Sequence, residues 1–143
     1  MYQAVMIYAP EQTGVEKLAA EIKAHCEQKK LKVHTRTALE ARIPDLAAAD
    51  LIFIGSDARR DSELHPEYAE LKRSLAGVNL APRVAGLFTT GNKRSLETLR
   101  GILADSNVDL SVEFPLSAAA DSGALTRWLN TLLDRVKEKQ RVR

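Results

Sequence analysis

A short apolar run, a tight loop and an amphipathic helix near the start of the chain limit most strongly what it can fold into. Val5, Met6 and Ile7 are consecutive apolar residues, which is typical of a strand buried on both faces. After the loop at residues 9–14, apolar residues recur at helical spacing: Val15, Leu18, Ile22 and Cys26. A strand, a loop and a helix N-terminus form an anion site by default, because free N–H groups and the helix dipole converge there.

The same order of strand and helix repeats through about five units. Further strands are predicted at residues 31–35, 50–54, 84–88 and 110–114. Helices are predicted at residues 14–29 and along the apolar faces that begin at Leu64, Leu96 and Leu125, with a half-formed helix within residues 38–49. This alternation predicts an α/β fold with three layers, in which an open parallel five-stranded sheet carries helices on both faces.

Composition restricts the domain count and the compartment. A chain of 143 residues is expected to form a single domain over residues 1–143. Its net charge of +2 is too small to favour nucleic acid as a partner, and its longest aliphatic runs are too short for a membrane. One cysteine excludes an intrachain disulfide, and no signal peptide is recognisable, so the expected compartment is the cytoplasm.

Ligands of such a sheet bind beyond the carboxyl ends of the strands. Here the predicted site therefore comprises the loops at residues 9–14, 55–62, 89–94 and 115–121.

At this level of detail the sequence resembles the flavodoxins over nearly its whole length. The most specific elements are Thr13-Gly14 at the start of the first helix, the segment at 49–56, and the segment at 84–88 that leads to Gly91. The resemblance implies strand order 2-1-3-4-5, with FMN at the switch point between the first and third strands. It assigns cofactor contacts in three loops to Pro10, Glu11, Gln12, Thr13, Gly14 and Val15, to Ser56, Asp57, Ala58 and Arg59, and to Thr89, Thr90, Gly91, Asn92 and Arg94.

The chain departs from the family pattern in each of these loops. Glu11 and Glu16 occupy positions where the family's phosphate loop has hydroxyl side chains. Where the family has flavin-stacking aromatic residues, the second loop has Arg59 and the third has Arg94. The resemblance therefore implies FMN-dependent electron transfer with impaired or altered flavin binding, in an electron carrier rather than a catalyst. Arginine can itself stack on a flat ring, which keeps flavin binding open.

Two of these features have simpler interpretations. Thr13 and Glu16 have the spacing of a capping box, in which Thr13 caps the helix and Glu16 reaches back to the N–H of the capping residue. The four basic residues of the loops form either a solvated polar rim or an electrostatic surface for a redox or regulatory protein partner: Arg59, Arg60, Lys93 and Arg94.

The remaining chemically reactive residues are expected to be structural. Cys26 and Trp128 lie on apolar helix faces and are predicted to be core residues. His65 precedes a proline and is predicted to be a surface or capping residue. His25 and His34 have no spacing that suggests a metal site. A group of lysines after the first helix, Lys29, Lys30 and Lys32, is interpreted as a helix C-terminus.

Two further functions compete with electron transfer. One is a flavin-free flavodoxin-like module for interaction or regulation. The other is a response-regulator receiver, with Asp57 as phosphoacceptor and Thr89 or Thr90 as switch residue. It is less favoured, because resemblance to a receiver would imply an acidic pair for Mg²⁺ after the first strand and Lys-Pro after the fifth. This chain has Ala9-Pro10 and Phe114-Pro115 at those places.

Overall fold

The computed structural model describes residues 2–57, 63–119 and 121–141. The elements follow in this order: β1 (Gln3–Ala9), α1 (Gly14–Gln28), β2 (Lys32–Thr37), α2 (Ile43–Ala47), β3 (Leu51–Ser56), a 3₁₀ turn (Pro66–Tyr68) that leads into α3 (Ala69–Ser74), β4 (Val84–Thr89), α4 (Lys93–Leu103), a second 3₁₀ turn (Leu116–Ala119) and α5 (Ser122–Arg141). Among the described helices, none combines the length and apolarity needed to cross a membrane.

The sheet is parallel, with strand order 2-1-3-4, as predicted for these four strands. β1 lies in the middle, and every residue of β3 and β4 is buried, which explains their unbroken apolar sequences. Helices flank the sheet, with α1 packed on α5 and α3 on α4. Cys26 and Trp128 are buried in the core, as predicted, and Trp128 contacts the rings of Phe53 and Phe114.

The predicted fifth strand at residues 110–114 is wrong for the described residues, which form four strands. The chain reaches the edge of β4 at a single parallel bridge between Val84 and Asp109. Immediately afterwards Asp109 Oδ1 accepts hydrogen bonds from the N–H and the hydroxyl of Ser111, at 2.9 and 2.6 Å, which turns the backbone away from the edge. Pro115 then offers no N–H for pairing. A strand-like apolar pattern was therefore outweighed by local turn chemistry.

The closest approach to a glycine in the core of the sheet is at Gly55. Gly55 pairs in register with Phe88 on the neighbouring strand. A Cβ at Gly55 would lie 2.1 Å from Phe88 Cε2, and the ring is fully buried. By contrast, a Cβ at Gly101 in α4 would meet nothing within 4 Å.

These two glycines therefore give opposite predictions. Gly55→Ala is expected to lower the free energy of unfolding by about 1–3 kcal/mol, because the buried ring must move. Gly101→Ala is expected to raise it by about 0.5–1 kcal/mol, since alanine favours an exposed helix. Urea denaturation of both variants tests this, and a Gly55→Ala protein as stable as the parent would contradict the packing described.

Asp109 also makes the stability dependent on pH. Burial by itself would raise the pKa of this carboxyl, but hydrogen bonds from Ser111 and Arg135 outweigh it and lower the pKa from 3.8 to about 2. Because the folded-state pKa is depressed, the stabilisation is complete above pH ~4 and is lost as the pH falls towards 2.

We expect Asp109→Asn to be less stable than the parent by about 2 kcal/mol at pH 7. This difference should shrink steadily between pH 4 and pH 2.5, as measured by urea denaturation over a pH series. Asp105→Asn, at an exposed position nearby, serves as the control. A difference that stays constant over this pH range would show that the ionised carboxylate is not the source.

Candidate functional site

The carboxyl ends of three strands meet in one row. Ala9 pairs with Ser56, and Ser56 pairs with Thr89, so the loops that follow begin side by side. The Thr90 N–H donates to the Ser56 carbonyl at 3.4 Å. A Cβ on Gly14 would lie 3.6 Å from Thr90 Cγ2, so the start of α1 contacts the third loop. The structure therefore brings together the described parts of the first three predicted loops, at residues 9–14, 55–57 and 89–94.

The first loop carries the charge at the N-terminus of α1. Pro10 follows Ala9 through a cis peptide bond, and Gln12 has a left-handed backbone with φ of 58°. The side chains of Glu11, Gln12 and Thr13 are exposed, as is Gly14. The Val15 side chain is completely buried, so only its backbone can face a ligand.

The predicted capping box at this N-terminus is wrong. Thr13 is the capping residue by position, but its hydroxyl makes no hydrogen bond to the helix and donates instead to the Pro10 carbonyl at 3.0 Å. Glu16 reaches one residue further back than expected, and its Oε2 accepts from the Gln12 N–H. The Thr13 hydroxyl therefore donates within its own loop, and the carboxylate of Glu16 is the negative group at the helix N-terminus.

Tyr8 is a site residue that the sequence interpretation missed. Its hydroxyl donates to Glu16 Oε1 at 3.3 Å from the end of β1. Burial, and next the carboxylate of Glu16, raises the pKa of Tyr8, with smaller contributions from Glu11 and Glu40. Only the position of a tyrosine at the end of the strand, eight residues before Glu16, could have indicated this contact.

Glu40 was also missed. Its Oε1 accepts from both the N–H and the hydroxyl of Thr37, each at 3.0 Å, and these bonds lower the pKa of Glu40. The Thr-x-x-Glu spacing at 37–40 was the available signal. The carboxylates of Glu11, Glu16 and Glu40 together make the surroundings of Tyr8 negative.

The second loop is described only in part. Ser56 is buried, and its hydroxyl donates to Asp57 Oδ1 at 3.4 Å. Ala58, Arg59 and Arg60 lie outside the described residues, so their predicted roles stay predictions. His65 is buried, and its Nδ1 accepts from the Glu67 N–H at 3.1 Å, which confirms the predicted capping role.

The third loop is held mainly by its own hydrogen bonds. Thr89 is buried, and its Oγ1 accepts from the Gly91 N–H at 2.9 Å. Asn92 caps α4, with its Oδ1 accepting from the Ser95 N–H at 3.2 Å. Lys93 forms an exposed ion pair with Glu113 at 3.6 Å, and Arg94 is exposed on the first turn of α4.

A flavin phosphate does not fit the first loop as it stands. The carboxylate of Glu16 already accepts from the Gln12 N–H at the helix terminus, and the Thr13 hydroxyl proton is used by Pro10. A phosphate would have to displace one carboxylate and approach Glu11 as well. The sequence of the loops at 9–14, 55–62 and 89–94 also contains no Trp, Tyr or Phe to cover a flavin ring. In the described part of the chain, no group of three or more His, Cys, Asp or Glu residues could hold a metal ion.

Solved structures with the same fold include several flavodoxins. The chain matches the flavodoxin of Streptococcus pneumoniae TIGR4 with TM-score 0.74 and 17% identity, covering 93% of this chain and 99% of that one. A short-chain flavodoxin associated with a non-canonical PDU bacterial microcompartment matches with TM-score 0.78 and 14% identity, covering 95% and 99%. The Fusobacterium nucleatum flavodoxin bound to flavin mononucleotide matches with TM-score 0.76 and 11% identity, covering 94% and 98%. No protein-family profile and no curated protein matches the chain. The chain therefore has a flavodoxin-like fold.

The contact between Tyr8 and Glu16 gives a direct test of the site geometry. Glu16→Gln is expected to lower the pKa of Tyr8, because the neighbouring negative charge disappears, yet burial should keep it above 10.0. Titration of ¹³C-labelled tyrosine by NMR measures this. Glu21→Gln, on an exposed position of α1, removes an equal charge and should leave Tyr8 unchanged. An unchanged pKa in Glu16→Gln would contradict the contact.

Proposed function

We propose that this chain is a flavodoxin-like interaction module in which FMN binding is impaired and FMN is not a resident cofactor. The observation that carries the proposal is the carboxylate of Glu16 at the N-terminus of α1, bonded to the Gln12 N–H and the Tyr8 hydroxyl. The chain thereby supplies its own anion at the place where the family binds a phosphate.

Simple electrostatics supports this interpretation. Two unit charges ~4 Å apart repel by about 1 kcal/mol in water and about 4 kcal/mol at an effective dielectric constant of 20. The helix dipole returns only about 0.3–1 kcal/mol. Glu11 and Glu16 together therefore outweigh the attraction that α1 offers to a phosphate. A loss of about 4 kcal/mol corresponds to roughly a thousandfold weaker binding.

FMN-dependent electron transfer with altered flavin binding is the second candidate. It is favoured by the fold and by the buried hydroxyls of Ser56 and Thr89 beside the first loop. It is also favoured by the N–H groups of the first turn of α1, which could bind a phosphate in addition to the Gln12 N–H. In either case, a redox or regulatory protein partner would bind the basic residues of the loops: Arg59, Arg60, Lys93 and Arg94. The protein is expected in the cytoplasm.

Removing the two carboxylates tests the proposal. Glu11→Ser/Glu16→Thr is expected to bind FMN at least tenfold more tightly than the parent, while riboflavin, which has no phosphate, should gain little. Calorimetric titration of both ligands against both proteins measures this. The control Glu21→Gln/Glu27→Gln removes the same net charge from exposed positions of α1.

Two results would contradict the proposal. One is a parent protein that purifies yellow with stoichiometric FMN, or whose thermal midpoint rises by many degrees with micromolar FMN. The other is an equal gain in affinity for FMN and riboflavin in the double variant, since the phosphate would then not be the group excluded.

A further inference from the structure

A groove of about 670 Å³ lies at the amino ends of the strands, whereas the three loops lie at their carboxyl ends. Tyr2 and Leu31 directly precede β1 and β2, so the groove opens at the amino ends of the strands, between the end of α1 and the second half of α5. Its apolar lining is formed by Tyr2, Leu31 and Leu133; Tyr2 and Leu133 are only partly buried against the core. The groove therefore presents apolar surface next to solvent.

Three exposed lysines line the same groove: Lys29, Lys30 and Lys137. Within the described part of the chain, none of them forms an ion pair. Asp134 is the single acidic residue in the lining, so the charged groups of the groove sum to +2. The groove thus combines an apolar floor with a cationic rim.

The backbone at Lys30 shows that folding alone does not explain this lysine. The Leu31 N–H donates to the Cys26 carbonyl and the Lys30 N–H to the Glu27 carbonyl, both at 3.0 Å, which is the Schellman pattern at a helix end. This pattern requires a left-handed residue, and Lys30 has φ of 62°. Glycine is the residue that this position favours, so a lysine here costs stability and places an ammonium group at the groove.

We propose that this groove binds an acidic segment of a protein partner. Carboxylates of the segment pair with the ammonium groups of Lys29, Lys30 and Lys137, and an apolar side chain of the segment lies on Tyr2, Leu31 and Leu133. Asn130, also in the lining, offers an amide to the peptide backbone. The concave shape and the carboxylate of Asp134 disfavour a flat anionic membrane. Because the groove and the three loops lie at opposite ends of the strands, this proposal does not depend on whether FMN is bound.

The test uses the full ¹⁵N-labelled chain and a library of eight-residue peptides in which Asp or Glu alternates with Leu, Phe or Ala. Amide shifts on titration should concentrate around Lys30, Leu31 and Leu133 and should weaken with added salt. A matched library with Asn and Gln in place of the acids should give little change. Absence of shifts at the groove at millimolar peptide, or equal shifts with the neutral library, would overturn the proposal.

Variants separate binding from folding. Lys30→Gly is expected to weaken binding of the acidic library roughly two- to fivefold while raising the thermal midpoint by roughly 2–4 °C. Lys137→Glu should weaken binding roughly tenfold, and Lys72→Gln on exposed α3 should change nothing. Unchanged binding in both groove variants would overturn the proposal, as would tighter binding of phosphatidylserine vesicles or a single-stranded oligonucleotide than of the library.

Discussion

The position of β1 between two parallel neighbours is the constraint on which the rest of the structure depends. β1 pairs with β2 on one edge and with β3 on the other, and six of its seven residues are buried. Tyr68, itself fully buried, donates its hydroxyl to the Gly55 carbonyl at 2.6 Å and contacts the Ile7 carbonyl at 3.3 Å. This side chain ties β1 to β3 just below their carboxyl ends. The strand ends are therefore joined by this side chain as well as by the sheet hydrogen bonds, and the loops begin from that row.

The row of strand ends positions the N-terminus of α1, and any anion at that terminus is stabilising. The backbone N–H groups and the dipole make no distinction between a bound phosphate and a carboxylate of the chain itself. Glu16 meets this demand internally, at no cost in association entropy. An internal anion stabilises the fold in the absence of any ligand, and it lowers the advantage that a ligand can gain. In this chain a carboxylate of the chain itself already lies at the helix terminus that attracts an anion.

The fold could be predicted from the sequence because strands buried on both faces consist of continuous apolar residues. Turns are instead rich in Gly, Pro, Asn, Asp and Ser, so the two patterns are easily distinguished. Strands at residues 3–9, 51–56 and 84–89 were recognisable for that reason. The fifth strand failed because Asp109 turns the chain through Ser111, an effect of one side chain that periodicity does not register. At the site, the described starts of the loops after β1, β3 and β4 lie side by side as predicted, but the partner of Glu16 depends on the left-handed backbone of Gln12 and the path of Thr13. These contacts join residues three and four positions apart within one loop, and the backbone conformation that forms them cannot be read from the spacing of residue types alone.

The left-handed residues of the chain distinguish the two surfaces considered above from the rest of the molecule. Among described residues other than glycine, positive φ occurs at Gln12, Lys30 and Asn107. Asparagine tolerates this conformation because its short side chain can bond locally, so Asn107 needs no further explanation. Glutamine and lysine have no such compensation, and each sits in one of the two candidate surfaces: Gln12 donates its N–H to Glu16, and Lys30 lines the groove with its charge. Sequences that otherwise follow local folding rules break them mainly where function requires it. The two exceptions therefore coincide with the two surfaces for which functions are proposed, one at each end of the strands.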